Sequence, residues 1–175
     1  MIFNLFRKKP ASQAVFAVYA AIVAQSRQPV FYADLGVPDT VTGRFDMICL
    51  HLALLFRRLR NEGKPVAEFS QALFDLFFKD MDRSLRELGA GDLAVPKKIQ
   101  KMGNVFYGLL GKLTEALDAD DRATLEAVVR KNIFDEDPAA AADRLADYLM
   151  AEAKRLDVQP TAAIVGGKLE LGAAA

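Results

Sequence analysis

Residues 65–88 read PVAEFSQALFDLFFKDMDRSLREL, and this stretch decides the fold class of the chain. Apolar residues recur in it every three or four positions, which is the spacing of one face of a long helix. That face consists of Phe69, Ala72, Leu73, Leu76, Phe77, Met81, Leu85 and Leu88. Phe74 and Phe78 lie four residues apart on a second face. A helix with two apolar faces is either central to a bundle or presents one face to a partner, and the sequence leaves both interpretations open.

The rest of the chain shows the same helical spacing between residues that break helices. The predicted further helices cover residues 12–25, a stretch from Thr40 or Thr42 to Arg60, and residues 96–117, 120–131 and 139–156. Residues 30–39, which contain Gly36 and Pro38, are expected to form an extended connection. The predicted fold is therefore an all-α, single-domain helical bundle of about six helices over residues 12–158. It lies between a basic and apolar N-terminal tail at residues 1–11 and a flexible C-terminal tail at residues 159–175.

Length and composition fit one folded domain without overall charge. The chain has 175 residues, of which 52% are hydrophobic, and its 23 Lys and Arg balance its 23 Asp and Glu. This balance excludes a protein that is basic throughout, and we expect no DNA partner. It hides an asymmetry, because residues 1–112 hold 16 basic and 10 acidic residues whereas residues 113–175 hold 7 and 13. Such halves can attract each other or present different faces to different partners.

The hydropathy pattern predicts neither a membrane span nor a secretory signal. The apolar run of residues 14–24 is shorter than the roughly 20 residues that cross a bilayer. A secretory signal carries its charges before its apolar stretch, whereas here the cations at residues 7–9 follow the mostly apolar residues 2–6. We expect a cytoplasmic protein. Its N-terminal tail either frays or makes a peripheral contact with the anionic inner face of the cytoplasmic membrane.

The residues that usually carry catalysis or bind metals are scarce and badly placed. Cys49 and His51 are two residues apart, so they project from different sides of a helix and cannot ligate one metal ion. We expect Cys49 to be buried in the core and His51 to be a hydrogen-bonded residue at the core boundary. Asp80 and Asp82 have no His or Cys placed to complete a catalytic set. The sequence therefore predicts no enzyme, no metal and no cofactor.

Basic residues cluster at two places that two neighbouring helices could bring together. They are Arg57, Arg58 and Arg60 on one predicted helix and Lys97, Lys98, Lys101 and Lys112 on another. A shared basic face would contact RNA phosphates, with strong salt dependence. The alternative is a solvated charged surface without a ligand. Gly103, Gly108 and Gly111 on the second helix predict that a neighbouring helix packs closely against it.

Three blocks of sequence together resemble the ubiquinol–cytochrome c chaperone family, whose members assist assembly of the respiratory cytochrome bc1 complex. The first block is FYADLGVPDT at residues 31–40, leading into GRFDM at 43–47 and LHL at 50–52. The second is FDLFFKDMDRSLRELG at residues 74–89, and the third runs from GDL at 91–93 to FYG at 106–108. The resemblance extends over residues 12–150 and is to the bacterial, particularly alphaproteobacterial, type.

The resemblance implies a non-catalytic, all-helical chaperone that binds newly made cytochrome b, its client, and guides it into the bc1 complex. On this basis, the residues expected to bind the client or another partner are Phe74, Phe78, Asp80, Asp82, Arg86 and Tyr107. Assembly intermediates of the bc1 complex are further expected partners. Mitochondrial members work with a small partner protein near the ribosomal tunnel exit, so a ribosome contact stays open. The alternative function is a ribosome- or RNA-binding adaptor that acts through the basic face.

Overall fold

A computed structural model of the chain describes residues 12–137 and 141–173. Within these residues the chain forms eight helices and no strand. The helices are α1 (Gln13–Ser26), α2 (Pro29–Ala33), α3 (Val41–Leu59), α4 (Lys64–Glu87), α5 (Val95–Asp118), α6 (Arg122–Ile133), α7 (Ala142–Asp157) and α8 (Thr161–Val165). The prediction of an all-α bundle is confirmed, and its six long helices correspond to α1, α3, α4, α5, α6 and α7.

Local sequence signals explain where these helices begin. The Ser12 hydroxyl accepts a hydrogen bond from the Val15 amide at 3.3 Å, and Thr40 caps α3 in the same way through the Gly43 amide at 3.1 Å. Asp121 caps α6 by accepting from the Thr124 amide at 3.0 Å. Each of these side chains satisfies a backbone N–H that has no partner within its helix. Helices α2, α4 and α5 instead carry a proline in the first turn, where its missing N–H is tolerated.

Helix α3 lies at the centre of the bundle and packs against α1, α4, α5 and α7. Its residues from Met47 to Leu55 are buried around the whole circumference, which is the pattern of a helix surrounded by others. Aromatic pairs join it to its neighbours. Phe45 stacks on Phe77 of α4 with ring centroids 5.6 Å apart, and Phe56 meets the edge of Phe106 of α5 at 5.9 Å.

The segment predicted to be an extended connection contains the short helix α2 instead. Phe31 is fully buried, where its ring meets the edges of His51 at 5.6 Å and Tyr148 at 5.0 Å. Burial of this ring on α3 and α7 favours a helical turn that starts at Pro29. The chain then leaves the turn through Gly36, whose φ of 71° lies in the left-handed region that favours glycine.

The end of the chain also differs from the loose tail expected from its sequence. Residues 161–165 form α8, which packs on α1 and buries Ile164. Gly172 is held from both sides, because its amide donates to Glu152 at 2.9 Å and its carbonyl accepts from Gln25 at 2.5 Å. Residues up to 173 are therefore part of the folded bundle. The N-terminal tail predicted at residues 1–11 lies outside the described residues.

Helices α4 and α5 form a long antiparallel hairpin at one side of the bundle. Each has 24 residues and is thus about 36 Å long, and α4 buries fully only Val66, Leu73 and Phe77 among its described residues. The predicted close packing around the α5 glycines is wrong for Gly108 and Gly111, where an added Cβ would meet nothing within 4 Å. In the part of the chain that the structure describes, no helix is long and apolar enough to cross a membrane.

Candidate functional site

An open groove lies where the end of α3 meets the first half of α4 and the middle of α5. Its volume is about 280 Å³. The residues that line it, here called the aromatic groove, are Phe56, Leu59, Arg60, Asn61, Gly63, Ala67, Ser70, Gln71, Phe74, Phe106, Tyr107 and Leu110. Two of the residues predicted to bind a partner, Phe74 and Tyr107, are among them.

The aromatic side chains of the groove differ in burial, from the fully buried Phe106 to the exposed Tyr107. Phe106 is fully buried and touches both Phe74, at a centroid distance of 5.9 Å, and Tyr107, at 5.8 Å. Phe74 is half-buried and lies 5.5 Å from Tyr107, whereas Tyr107 itself is 59% exposed. Phe78 lies behind Phe74 at 4.6 Å and does not line the groove. The second apolar face of α4 is therefore partly packed on α5 and partly open.

Polar groups form the rim of the groove. Arg60 carries the charge at one end, and its guanidinium forms an ion pair with Asp118 at 2.5 Å. Ser70, Gln71 and Asn61 supply neutral hydrogen-bonding groups beside the aromatic floor. An apolar floor with a polar rim is the usual architecture of a site that buries an apolar side chain and fixes the polar atoms around it. The sequence analysis did not predict Ser70 and Gln71 as site residues, because they carry no distinctive signal.

Three predicted partner-binding residues lie elsewhere on the hairpin. Asp80 accepts a hydrogen bond from the Tyr19 hydroxyl at 2.9 Å and pairs with Arg83 at 2.5 Å, so it ties α1 to α4. Burial and this acceptance by Asp80 raise the pKa of Tyr19. Arg86 pairs with Asp82 at 2.6 Å and also with Asp92. The hydrogen bond from Arg86 lowers the pKa of the Asp82 carboxyl. These groups are engaged within the chain, outside the aromatic groove.

The structure does not bring the predicted basic residues together. Arg57 pairs with Asp118 and Asp157, each at 2.9 Å, and Arg58 pairs with Glu62 at 2.6 Å. Arg57 thus stabilises the junction of α3, α5 and α7, and Arg58 donates to the Leu156 carbonyl of α7 at 3.1 Å. Lys97, Lys98 and Lys101 lie at the opposite end of α5, because the helix measures about 25 Å between Lys101 and Asp118. Lys112 lies nearer to the arginines, six residues before Asp118 on α5, so the predicted basic residues are spread along the helix. The RNA-binding alternative therefore stays a prediction.

The histidine and the cysteine are both buried. Cys49 is a free core residue, as predicted. His51 is fully buried and hydrogen-bonded, so its predicted place at the core boundary is wrong. Its Nδ1 donates to the Met47 carbonyl at 2.7 Å and its Nε2 accepts from the Tyr148 hydroxyl at 2.8 Å. Burial lowers the pKa of His51 to about 4, although the bond to Met47 opposes that shift.

This histidine belongs to a polar network that sequence reasoning missed. The Tyr148 hydroxyl accepts from Gln25 at 2.9 Å, and the Ser26 hydroxyl lies 3.0 Å from the His51 Nδ1. Gln25 and Ser26, two polar residues at the end of the otherwise largely apolar α1, were the feature of the sequence that could have indicated it. Every group of the network has a partner within the fold, so the network is structural. Across residues 12–137 and 141–173, no three His, Cys, Asp or Glu side chains are grouped to hold a metal ion.

Comparison with known proteins gives consistent matches over most of the chain. The sequence model of the family described as "Ubiquinol-cytochrome C chaperone" matches residues 33–171. Ubiquinol-cytochrome-c reductase complex assembly factor 1 of Xenopus laevis is 20% identical over 146 residues, which cover 82% of this chain and 72% of that protein. The Mus musculus protein of that name is 23% identical over 147 residues, covering 82% of this chain and 49% of its own length.

A solved structure agrees with these sequence matches. The crystal structure of the Cbp3 homolog from Brucella abortus superposes with a TM-score of 0.87 at 38% sequence identity. The superposition covers 99% of this chain and 98% of that one. The chain spans about half the length of the mouse relative but nearly all of this bacterial one. The resemblance drawn from the three sequence blocks is confirmed.

Proposed function

Because the chain belongs to the ubiquinol–cytochrome c chaperone family, we propose that it is a non-catalytic chaperone that binds newly made cytochrome b during assembly of the bc1 complex. The observation that carries the proposal is the aromatic groove, whose half-buried Phe74 and 59% exposed Tyr107 form a partly open apolar surface. Cytochrome b is an apolar membrane protein, so its unassembled segments offer aliphatic and aromatic side chains to such a surface.

The groove suits a weak and reversible complex. A volume of about 280 Å³ accommodates a few side chains of a client segment and not a whole helix. Burial of one large apolar side chain contributes about 1.5–3 kcal/mol, so two or three such contacts give an affinity that still permits release. The rim groups of Arg60, Asn61 and Gln71 can pair with the backbone of an extended client segment, which would otherwise lose its hydrogen bonds to water.

Filling the groove tests this proposal directly. Ala67 lines the groove and is exposed, so Ala67→Trp occupies the space without removing a core contact. Tyr107→Asp places a charge on the same surface. We expect each variant to recover about ten-fold less cytochrome b in affinity purification from membranes solubilised in mild detergent. A factor of ten corresponds to roughly 1.4 kcal/mol, about the contribution of one buried apolar side chain.

A matched control is available on α1. Phe16 is 51% exposed, close to the exposure of Tyr107, and does not line the groove. Phe16→Asp therefore makes the same chemical change at a comparable position and should leave recovery of cytochrome b unchanged. Equal recovery by wild type, Ala67→Trp and Tyr107→Asp would contradict the groove as the client-binding site. Failure of the wild type to recover cytochrome b would contradict the proposed function itself.

A further inference from the structure

The connection between α4 and α5 exposes large aliphatic side chains. Leu88, which follows the last residue of α4, is 63% exposed, and Leu93, two residues before α5, is 91% exposed. Neither belongs to the packed core of the described residues. An isolated exposed leucine is common on protein surfaces, but two at the end of one projecting hairpin place apolar surface where a flat partner can reach it. We call residues 88–101 the hairpin tip.

The uncompensated charge of the hairpin tip is positive. Asp92 is the acidic residue of the tip, and it is paired with Arg86. Lys97, Lys98 and Lys101 are exposed along the first two turns of α5, whereas Val95 is buried and Ile99 and Met102 are half-buried. None of these three lysines forms an ion pair among the described residues. Lys97 and Lys98 also lie in the first turn of α5, where the helix dipole disfavours cations, so helix stability does not favour their position.

We propose that the hairpin tip docks on the surface of an anionic lipid bilayer. Leu88 and Leu93 enter the boundary between headgroups and acyl chains, and Lys97, Lys98 and Lys101 contact the lipid phosphates. Aliphatic side chains fit the acyl region of such a membrane, and lysines fit its anionic headgroups. Short amphipathic elements bind anionic membranes by this combination of apolar insertion and electrostatic attraction. RNA would use the lysines but not the leucines, and a second copy of the tip would bring like charges together.

The proposed contact is separate from the aromatic groove. Leu88 and Phe74 are 14 positions apart, about 21 Å along α4, and Lys97 and Phe106 are nine positions apart, about 13 Å along α5. Membrane docking at the tip therefore leaves the groove accessible. It does not depend on the identity of the client that the groove binds.

The chain offers a clean spectroscopic test, because it contains no tryptophan. Leu93→Trp introduces one fluorophore at the tip, and Val158→Trp introduces one at an 82% exposed apolar position outside the hairpin. We expect the fluorescence of Leu93→Trp to shift to shorter wavelength with vesicles of phosphatidylcholine and phosphatidylglycerol at 70:30. Val158→Trp should show no shift with the same vesicles, and Leu93→Trp should show none with phosphatidylcholine alone.

Sedimentation with the same vesicles tests both parts of the tip in the full chain. Leu88→Ser/Leu93→Ser and Lys97→Glu/Lys98→Glu should each lower the bound fraction, expressed as a partition coefficient, by at least about ten-fold. The matched controls are Val158→Ser and Lys64→Glu/Lys131→Glu, which alter an exposed aliphatic residue and two exposed lysines outside the tip. These controls should bind as the wild type does.

Three results would overturn the proposal. The first is a wild type that does not bind the anionic vesicles. The second is undiminished binding by the two tip variants, which would place the membrane contact elsewhere in the chain. The third is binding to a 20-nucleotide single-stranded RNA that depends on Lys97 and Lys98, without binding to vesicles, which would identify the tip as a nucleic-acid contact.

Discussion

At the scale of the residue, His51 couples stability to pH. Its pKa is about 4 in the fold and 6.5 in the unfolded chain, because burial disfavours the charged ring. The unfolded state therefore binds the additional proton between these values, and stability is lost as the pH falls from 6.5 towards 4. The shift corresponds to roughly 3 kcal/mol over that window. Asp46 acts in the opposite direction, because burial raises its pKa from 3.8 to about 7. Comparison of a His51 variant with the wild type isolates the contribution of the histidine to the pH dependence of stability, because both proteins contain Asp46.

We predict that His51→Gln is less stable than the wild type at pH 7, where the variant loses the hydrogen bonds to Met47 and Tyr148. The difference in the free energy of unfolding should shrink by roughly 2.4 kcal/mol as the pH falls from 7 to 4.5, because only the wild type carries the histidine penalty. Urea denaturation at several pH values measures this difference. A difference that stays constant with pH would show that the His51 pKa is not depressed.

At the scale of the element, the C-terminal segment depends on the absence of a side chain at Gly172. A Cβ there would lie 2.8 Å from the Glu152 Oε2, too close for a stable contact, and 2.6 Å from the Nε of Arg155, whose exposed side chain can move away. Glu152 is buried and cannot move freely. Gly172→Ala should therefore displace the segment and lower the free energy of unfolding by about 1–3 kcal/mol, with a lower Tm.

The matched control for Gly172→Ala lies on α5. Gly111 is exposed in the helix interior, and a Cβ there would meet nothing within 4 Å. Gly111→Ala should stabilise the protein by up to about 1 kcal/mol, because alanine loses less backbone entropy on forming a helix. Thermal unfolding should show a lower Tm for Gly172→Ala and a higher Tm for Gly111→Ala than for the wild type. A Gly172→Ala variant as stable as the wild type would contradict the packing of the C-terminal segment on α7.

The elements also show how far the sequence predicts this fold. Spacing of apolar residues and helix-breaking residues located the six long helices within a few residues, because each buries one continuous face. The short helices α2 and α8 escaped prediction, because five residues contain too little periodicity. Their stability comes from the burial of Phe31 and Ile164 against distant parts of the chain. Tertiary contacts of this kind cannot be derived from a local pattern.

At the scale of the whole molecule, the sequence predicted residues of the candidate site without their arrangement. Phe74 was predicted because it lies outside the core face of its helix, whereas Tyr107 was expected from the family resemblance. The separation of Arg57 from Lys97 was not predictable, since it depends on which end of α5 meets the end of α3. The same crossing that separates the two basic groups also opens the aromatic groove between Phe56, Phe74 and Phe106.

This arrangement predicts that client binding and membrane docking are separable. Ala67 of the groove and Leu88 of the tip are 21 positions apart, about 31 Å along α4, and changes at such distances are usually independent. Ala67→Trp should lose recovery of cytochrome b in detergent and bind anionic vesicles as the wild type does. Leu88→Ser/Leu93→Ser should do the reverse, and combining the changes should give the sum of both losses in free energy. Loss of both activities in either parent variant, with unchanged thermal stability, would mean that one surface of the hairpin serves both partners.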